Sequence, residues 1–154
     1  MYTDGGCDLY KRIGGWGVVV VQDGVSAIDE FSDVVSDPGV TNNICELLAF
    51  EKALSLAPEY NAATIISDSQ YVVIGYNKWM HNWVKNDWLK NKYGVDNREE
   101  APIYIKNLNI WHRIYDKYSS DITAKWVKGH DGNEFNELAD ILASKYRDEI
   151  EKLK

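Results

Sequence analysis

Residues 62–72 read Ala-Ala-Thr-Ile-Ile-Ser-Asp-Ser-Gln-Tyr-Val, and the periodicity of the chain changes inside them. The first six, rich in β-branched side chains, predict a short buried strand that ends at Asp68. Beyond it Val72, Tyr76, Trp79, Met80 and Trp83 make a helical stripe, with a break expected near Gly75. Before it Ile44, Leu47, Leu48, Leu54 and Ala57 repeat at helical spacing up to Pro58, and Thr41, Asn42 and Asn43 all suit a helix N-terminus. Further upstream, residues 1–7, 16–22 and 26–35 are extended stretches joined by short turns, which predicts an antiparallel meander. Downstream, residues 89–101 are polar and read as loop, 103–118 as helix and 122–127 as strand. Phe135, Leu138, Leu142, Tyr146 and Ile150 mark a final amphipathic helix. Strands separated by helices pair in parallel with a right-handed crossover. The expected fold class is therefore α/β: a five-stranded mixed sheet, a three-stranded antiparallel meander plus two parallel strands, flanked by helices.

The 154 residues allow one domain with a real core, so 1–154 is read as a single domain. No apolar run approaches the roughly 20 residues needed to span a bilayer, and no basic-then-apolar leader opens the chain, so a cytoplasmic protein with no membrane partner is expected. Cys7 and Cys45 are too few for a disulfide framework and lack zinc-ligand spacing. The formal charge of −7 speaks at first against a nucleic-acid partner. Its distribution speaks otherwise. Residues 1–60 carry 3 basic and 10 acidic side chains, whereas residues 78–128 carry 10 basic and 6 acidic ones. In that second segment Trp79, Trp83 and Trp88 interleave with Lys78, Lys85, Lys90 and Lys92.

Four acids stand at element ends or faces: Asp4 in the first strand, Glu46 in the first turn of the first helix, Asp68 after the buried strand and Asp140 in the last helix. They are too far apart in sequence for a local loop site, so any site they form is built by the fold. Each also has a plainer reading. Glu46 suits the distal member of a capping arrangement begun at Asn43, Asp68 and Ser69 a helix cap, and Asp140 a solvated helix face. Asp4 is different, because an acid inside a strand of low polarity needs a partner or a cation.

The segments Tyr2-Thr3-Asp4-Gly5-Gly6-Cys7, Thr41-Asn42-Asn43-Ile44-Cys45-Glu46-Leu47, Ser67-Asp68-Ser69-Gln70-Tyr71-Val72 and Trp126-Val127-Lys128-Gly129-His130-Asp131-Gly132, followed by Asn136 to Asp140, closely resemble the signature segments of type 1 ribonuclease H. They run in the family's order over nearly the whole chain. The resemblance implies a ribonuclease H-like fold and an endonuclease that hydrolyses the RNA strand of RNA/DNA hybrids, leaving 5′-phosphate and 3′-hydroxyl ends. It puts Asp4, Glu46, Asp68 and Asp140 at metal-ligand positions for two Mg²⁺ ions, with Mn²⁺ as a substitute. Such hard cations, about 4 Å apart, suit carboxylate oxygens and an in-line displacement at phosphorus. His130 matches a mobile histidine that assists proton transfer or product release. By the same resemblance Asn43 and Gln70 reach the minor groove, and backbone groups at Gly5, Gly6 and Cys7 touch the RNA sugars. Residues 78–92 resemble the family's basic protrusion, with Trp79 the best contact candidate and Lys85 a phosphate partner. A monomer acting on the hybrid duplex is expected.

The match has gaps. A phosphate pocket that the family builds from an asparagine in the first turn and an arginine before the Thr-Asn-Asn segment has Tyr10 and Gly39 at those places, while Thr41 and Asn42 remain and Lys11 or Arg12 stand near. The protrusion, with Val84, Asn86 and Asp87 among its lysines, is less basic than usual, so weaker and more salt-sensitive hybrid binding is expected. Three rival readings are another nuclease of the same fold, of resolvase, exonuclease or transposase type; a non-catalytic nucleic-acid-binding domain; and a generic acidic domain that binds divalent ions.

Overall fold

The computed structural model describes residues 1–90 and 103–152. Residues 91–101 of the expected polar loop, and with them residues 91 and 92 of the expected protrusion, lie outside the described residues.

β1 (Tyr2–Asp8), β2 (Ile13–Gln22) and β3 (Ser26–Ser36) form the antiparallel meander, and β4 (Thr64–Ser67) and β5 (Thr123–Trp126) add to it in parallel. The sheet order is β3-β2-β1-β4-β5. The valine run of β2 explains why both faces are covered, since successive side chains point to opposite faces. Val18 and Val20 belong to a large core with Leu47, Phe50 and Leu54 of α1 (Asn42–Leu56). Val19 faces the other way, onto Ala139 and Leu142 of α5 (Glu134–Ala143). One sheet is thus held between two helical layers.

α2 (Gln70–Ile74), a π turn over Gly75–Trp79 and α3 (Met80–Lys85) form one continuous helical path after β4. The expected break near Gly75 is instead a widening. An ideal Cβ at Gly75 would lie 2.2 Å from Cη2 of Trp111, so only glycine admits this indole from α4 (Leu108–Asp116). Around this contact Phe50, Tyr76, Met80, Trp111 and Ile114 are buried together.

Two expected helices differ from those observed. The helix expected over 103–118 begins only at Leu108, because residues 103–105 run back along the end of the protrusion: Lys90 N–H donates to the Ile103 carbonyl at 2.6 Å and Ile105 N–H to that of Trp88 at 3.1 Å. Asn107, left-handed at φ 60°, then starts the helix. The single last helix is two, α5 and α6 (Tyr146–Lys152). Its first half stops where Ala143 meets β2; a Cβ on Gly15 would lie 2.4 Å from the Ala143 carbonyl oxygen. Ser144 closes that turn by donating to the Asp140 carbonyl at 3.0 Å, and Tyr146 is buried beyond it.

Gly75→Ala is expected to destabilise the protein by about 1–3 kcal/mol through overpacking against Trp111. Urea unfolding monitored by tryptophan fluorescence would detect it, and a midpoint equal to the parent's would contradict this packing.

Candidate active site

The parallel register of β1 with β4 sets Thr3 opposite Ser67, so Asp4, within β1, and Asp68, just past the C-terminal end of β4, follow this pair and bring their carboxylates close together. Glu46 enters from above. α1 is capped by Thr41, whose Oγ accepts the Ile44 N–H at 3.1 Å, so Glu46 falls in the second turn and faces β1. It does not reach back to cap the helix as the plainer reading had it. Gly5 permits the approach, since a Cβ there would lie 2.3 Å from the carbonyl carbon of Cys45. The Gly5 N–H donates to Asp4 Oδ1 at 2.9 Å and to Glu46 Oε1.

Asp4, Glu46 and Asp68 each offer an oxygen within 4.8 Å of the others'. Asp4 and Glu46 are only 7% and 8% exposed. Burial, with the charges of Asp68 and Asp140 adding to it, pushes the Asp4 carboxyl up to about 7. Burial also raises Glu46 well above the usual range, reinforced by its hydrogen bond to Asp4. Asp68 is raised by burial and by Asp140, against the opposing effect of hydrogen bonds from Asp4 and Asn136. Three acids that resist ionising together are suited to a divalent cation, which takes the place of the protons they otherwise share. The donors are hard carboxylate oxygens, matching such an ion. Asp140 lies half-buried on α5 and acts on Asp4 and Asp68 through its charge, although the closest trio does not include it.

Surrounding groups hold the acids in place. Ser69, not Asp68, caps α2, leaving the Asp68 carboxylate free for the cluster. Trp126 Nε1 donates to the Asp68 carbonyl at 3.1 Å, and Ser67 Oγ lies 3.5 Å from Glu46 Oε2 while accepting the Ser69 N–H at 3.0 Å. Buried Asn136 bonds the Asp68 carboxylate. Its position was open to inference: Asn136 and Asp140, four apart on one helix, share a face.

The other expected site residues lie around this cluster. His130 is exposed and left-handed at φ 56°, on the loop between β5 and α5. That loop touches the cluster through Gly129, whose Cβ would stand 2.8 Å from Asp68 Oδ2. Asn42 Oδ1 accepts the Cys7 N–H at 2.9 Å, tying the helix start to β1. The N–H groups of Gly5 and Cys7 are thus both engaged inside the protein, and Gly6 lies between them. Asn43 and Gln70 are exposed on either side, at the starts of α1 and α2. In the first turn Tyr10 is 97% exposed, whereas left-handed Arg12 reaches across to donate to the Pro38 carbonyl at 2.6 Å, beside the segment leading to Thr41.

The tryptophans divide. Trp83 packs on Trp111 with ring centroids 5.2 Å apart, and Trp88 is buried against His112. Trp79 is 39% exposed and lies beside Tyr71 and Trp83. Together with Lys90, Ile105 and Lys106 these three rings line a cavity of about 360 Å³. Lys85 is exposed at the end of α3 and does not line it. Lys106 was missed by sequence reasoning, which placed it within a helix.

Comparison with known proteins agrees with this geometry. The RNase H family model matches residues 1–147. A ribonuclease H of Jannaschia sp. (strain CCS1) is 38% identical over 144 residues, covering 92% of this chain and 86% of its own. The PFV RNase H domain, solved in solution, superposes with a TM-score of 0.72 at 26% identity, over 94% of this chain and 90% of that one. LC11-RNase H1, whose structure is known in complex with an RNA/DNA hybrid, shares the fold with a TM-score of 0.65 at 19% identity, over 97% and 96% of the two chains. A single pattern runs through the buried carboxylates, the strand register that joins them and the match over almost the full length: the chain belongs to the ribonuclease H family.

Proposed function

We propose that this protein is a metal-dependent endonuclease that hydrolyses the RNA strand of RNA/DNA hybrids, leaving 5′-phosphate and 3′-hydroxyl ends. The observation that carries the reading is the carboxylate trio of buried Asp4 in β1, buried Glu46 on α1 and half-buried Asp68 just past the end of β4, in a chain of this family. With Asp140 they would hold two Mg²⁺ ions, for which Mn²⁺ substitutes. Ions held there would neutralise charge at the scissile phosphate and lower the pKa of an attacking water.

The protein's own groups do the rest. Gly5 N–H and Ser67 Oγ orient Glu46, while Asn136 and the Trp126 indole orient Asp68. The His130 imidazole, on its exposed loop, hands a proton to the departing 3′ oxygen and helps release the product. Asn43 and Gln70 read the minor groove, where ribose differs from deoxyribose by its 2′-hydroxyl. Thr41, Asn42 and Arg12 flank a DNA phosphate, with Arg12 supplying the cation that Gly39 lacks. Trp79 stacks along the DNA strand, and Lys85, Lys90 and Lys106 neutralise its phosphates. One copy carries every residue named here, which suits a monomeric enzyme, and we place it in the cytoplasm.

Labelled hybrid is expected to be cut only with Mg²⁺ or Mn²⁺ present, and duplex DNA, duplex RNA and single strands to survive. Equal cutting of duplex DNA would sink the assignment. Under single-turnover conditions Asp68→Asn is expected to nearly abolish cleavage, whereas His130→Ala slows it by about 10–100-fold. Equal losses would argue against this division of labour. Hybrid affinity should fall steeply as salt is raised from 50 to 200 mM; a flat response in a filter-binding titration would exclude the phosphate contacts.

The carboxyl cluster also makes a pH prediction for the metal-free protein. Asp4 titrates at about 7 when folded against an ordinary value of 3.8, so between those values the native state binds more protons than the unfolded chain. Its contribution to stability is full below pH 3.8 and is lost as pH rises through about 7; Glu46 and Asp68 shift in the same direction. Asp4→Asn is therefore expected to melt higher than the parent at pH 8 without metal, and to gain less from added Mg²⁺. Thermal melts of the two proteins at pH 5 and pH 8, with and without Mg²⁺, would test this; identical responses would contradict it.

A further inference from the structure

The π turn at Gly75–Trp79 contains one residue more than an α turn. Met80 N–H reaches five residues back, to the Gly75 carbonyl. Such turns survive where neighbouring groups hold them. Three contacts do so here. Trp111 occupies the space over Gly75 that any side chain would need. The Tyr76 carbonyl lies 3.1 Å from His81 Nε2, which must carry the ring proton to donate to it, and the His81 ring stands edge-on to Tyr118 at 4.8 Å.

The third contact is Asn77. Its Nδ2 donates to the Ala124 carbonyl at 2.9 Å, and its Oδ1 accepts the Ala124 N–H at 3.4 Å. β5 is an edge strand, paired on its other side with β4. The amide of Asn77 thus stands in for one residue of a further strand, satisfying both backbone groups of Ala124. Two residues later the turn presents Trp79, exposed beside Tyr71 and Trp83. At its far end the same β5 strand carries Trp126, whose indole holds the Asp68 carbonyl.

We propose that Asn77 is a positioning residue for hybrid binding: it pins the π turn to β5 and so holds Trp79 at a set distance from the carboxylate cluster. This rests on the reading above that Trp79 meets the hybrid. The clamp touches neither Asp4, Glu46 nor Asp68, and β5 with its Trp126 stays held by its ladder to β4, so loss of the clamp leaves the carboxylates where they are and loosens the aromatic wall. Its effect therefore falls on KM and not on kcat. A residue that merely supported the fold would not act through Trp79.

The test is a double-mutant cycle on one hybrid substrate, with Asn77→Ala, Trp79→Ala and the pair, each assayed below its own melting temperature. Asn77→Leu, nearly the same size without the amide, is the second variant. Each Asn77 variant is expected to raise KM about fivefold, the scale of a lost hydrogen bond, with kcat and the Mg²⁺ dependence unchanged. In the Trp79→Ala background neither should add anything. If Trp79→Ala weakens binding and the Asn77 effect multiplies with it, or falls on kcat, the positioning role is overturned while the contact stands. If Trp79→Ala leaves KM unchanged, the contact itself fails and the inference with it.

Discussion

Asp4, Glu46 and Asp68 reach one small, largely buried volume from three different elements, and their oxygens lie within 4.8 Å of one another. Like charges so close and so poorly solvated repel, so without a cation the acids hold on to protons, while the surrounding backbone keeps the arrangement stiff. That stiffness has local causes. Gly5 lets α1 press on β1, its N–H joins the two nearest carboxyls, and the parallel register of β1 with β4 fixes the third beside them. The two helical layers keep the sheet from relaxing away. Loss of fold stability when protons or cations are withdrawn from the acids is then a direct consequence of where they are held.

The net charge of −7 is misleading as a whole-molecule number. The acidic excess lies in the first 60 residues, part of it in the cluster itself and part along β3. Lys78, Lys85, Lys90 and Lys106, with exposed Trp79, lie on the protrusion and on residues 103–106, which fold back against it. A polyanion approaching this protein therefore meets a basic, aromatic surface next to an acidic centre that is attractive only through cations.

Much of the architecture was legible because periodicity is a local property. The valine run of β2, the stripe from Ile44 to Ala57 and the Ala-Ala-Thr-Ile-Ile-Ser strand each announce an element through its own residues. Errors came where a distant partner overruled a local pattern. Residues 103–106 look helical but are captured by residues 88–90, and the stripe through Tyr146 is cut where Ala143 meets the backbone of β2. The widening at Gly75 was visible only as a weak point, because the cause is Trp111, 36 residues away.

The sequence by itself determined the kinds of element, their order and the identity of the acids, together with the motifs that mark the family. Only the tertiary structure decided what those acids do to one another. Whether Glu46 caps a helix or faces Asp4, whether Asp68 or Ser69 caps α2, and which tryptophan stays exposed all depend on strand register and helix approach. These are set by contacts between residues tens of positions apart, and their energy appears only once the chain has closed on itself.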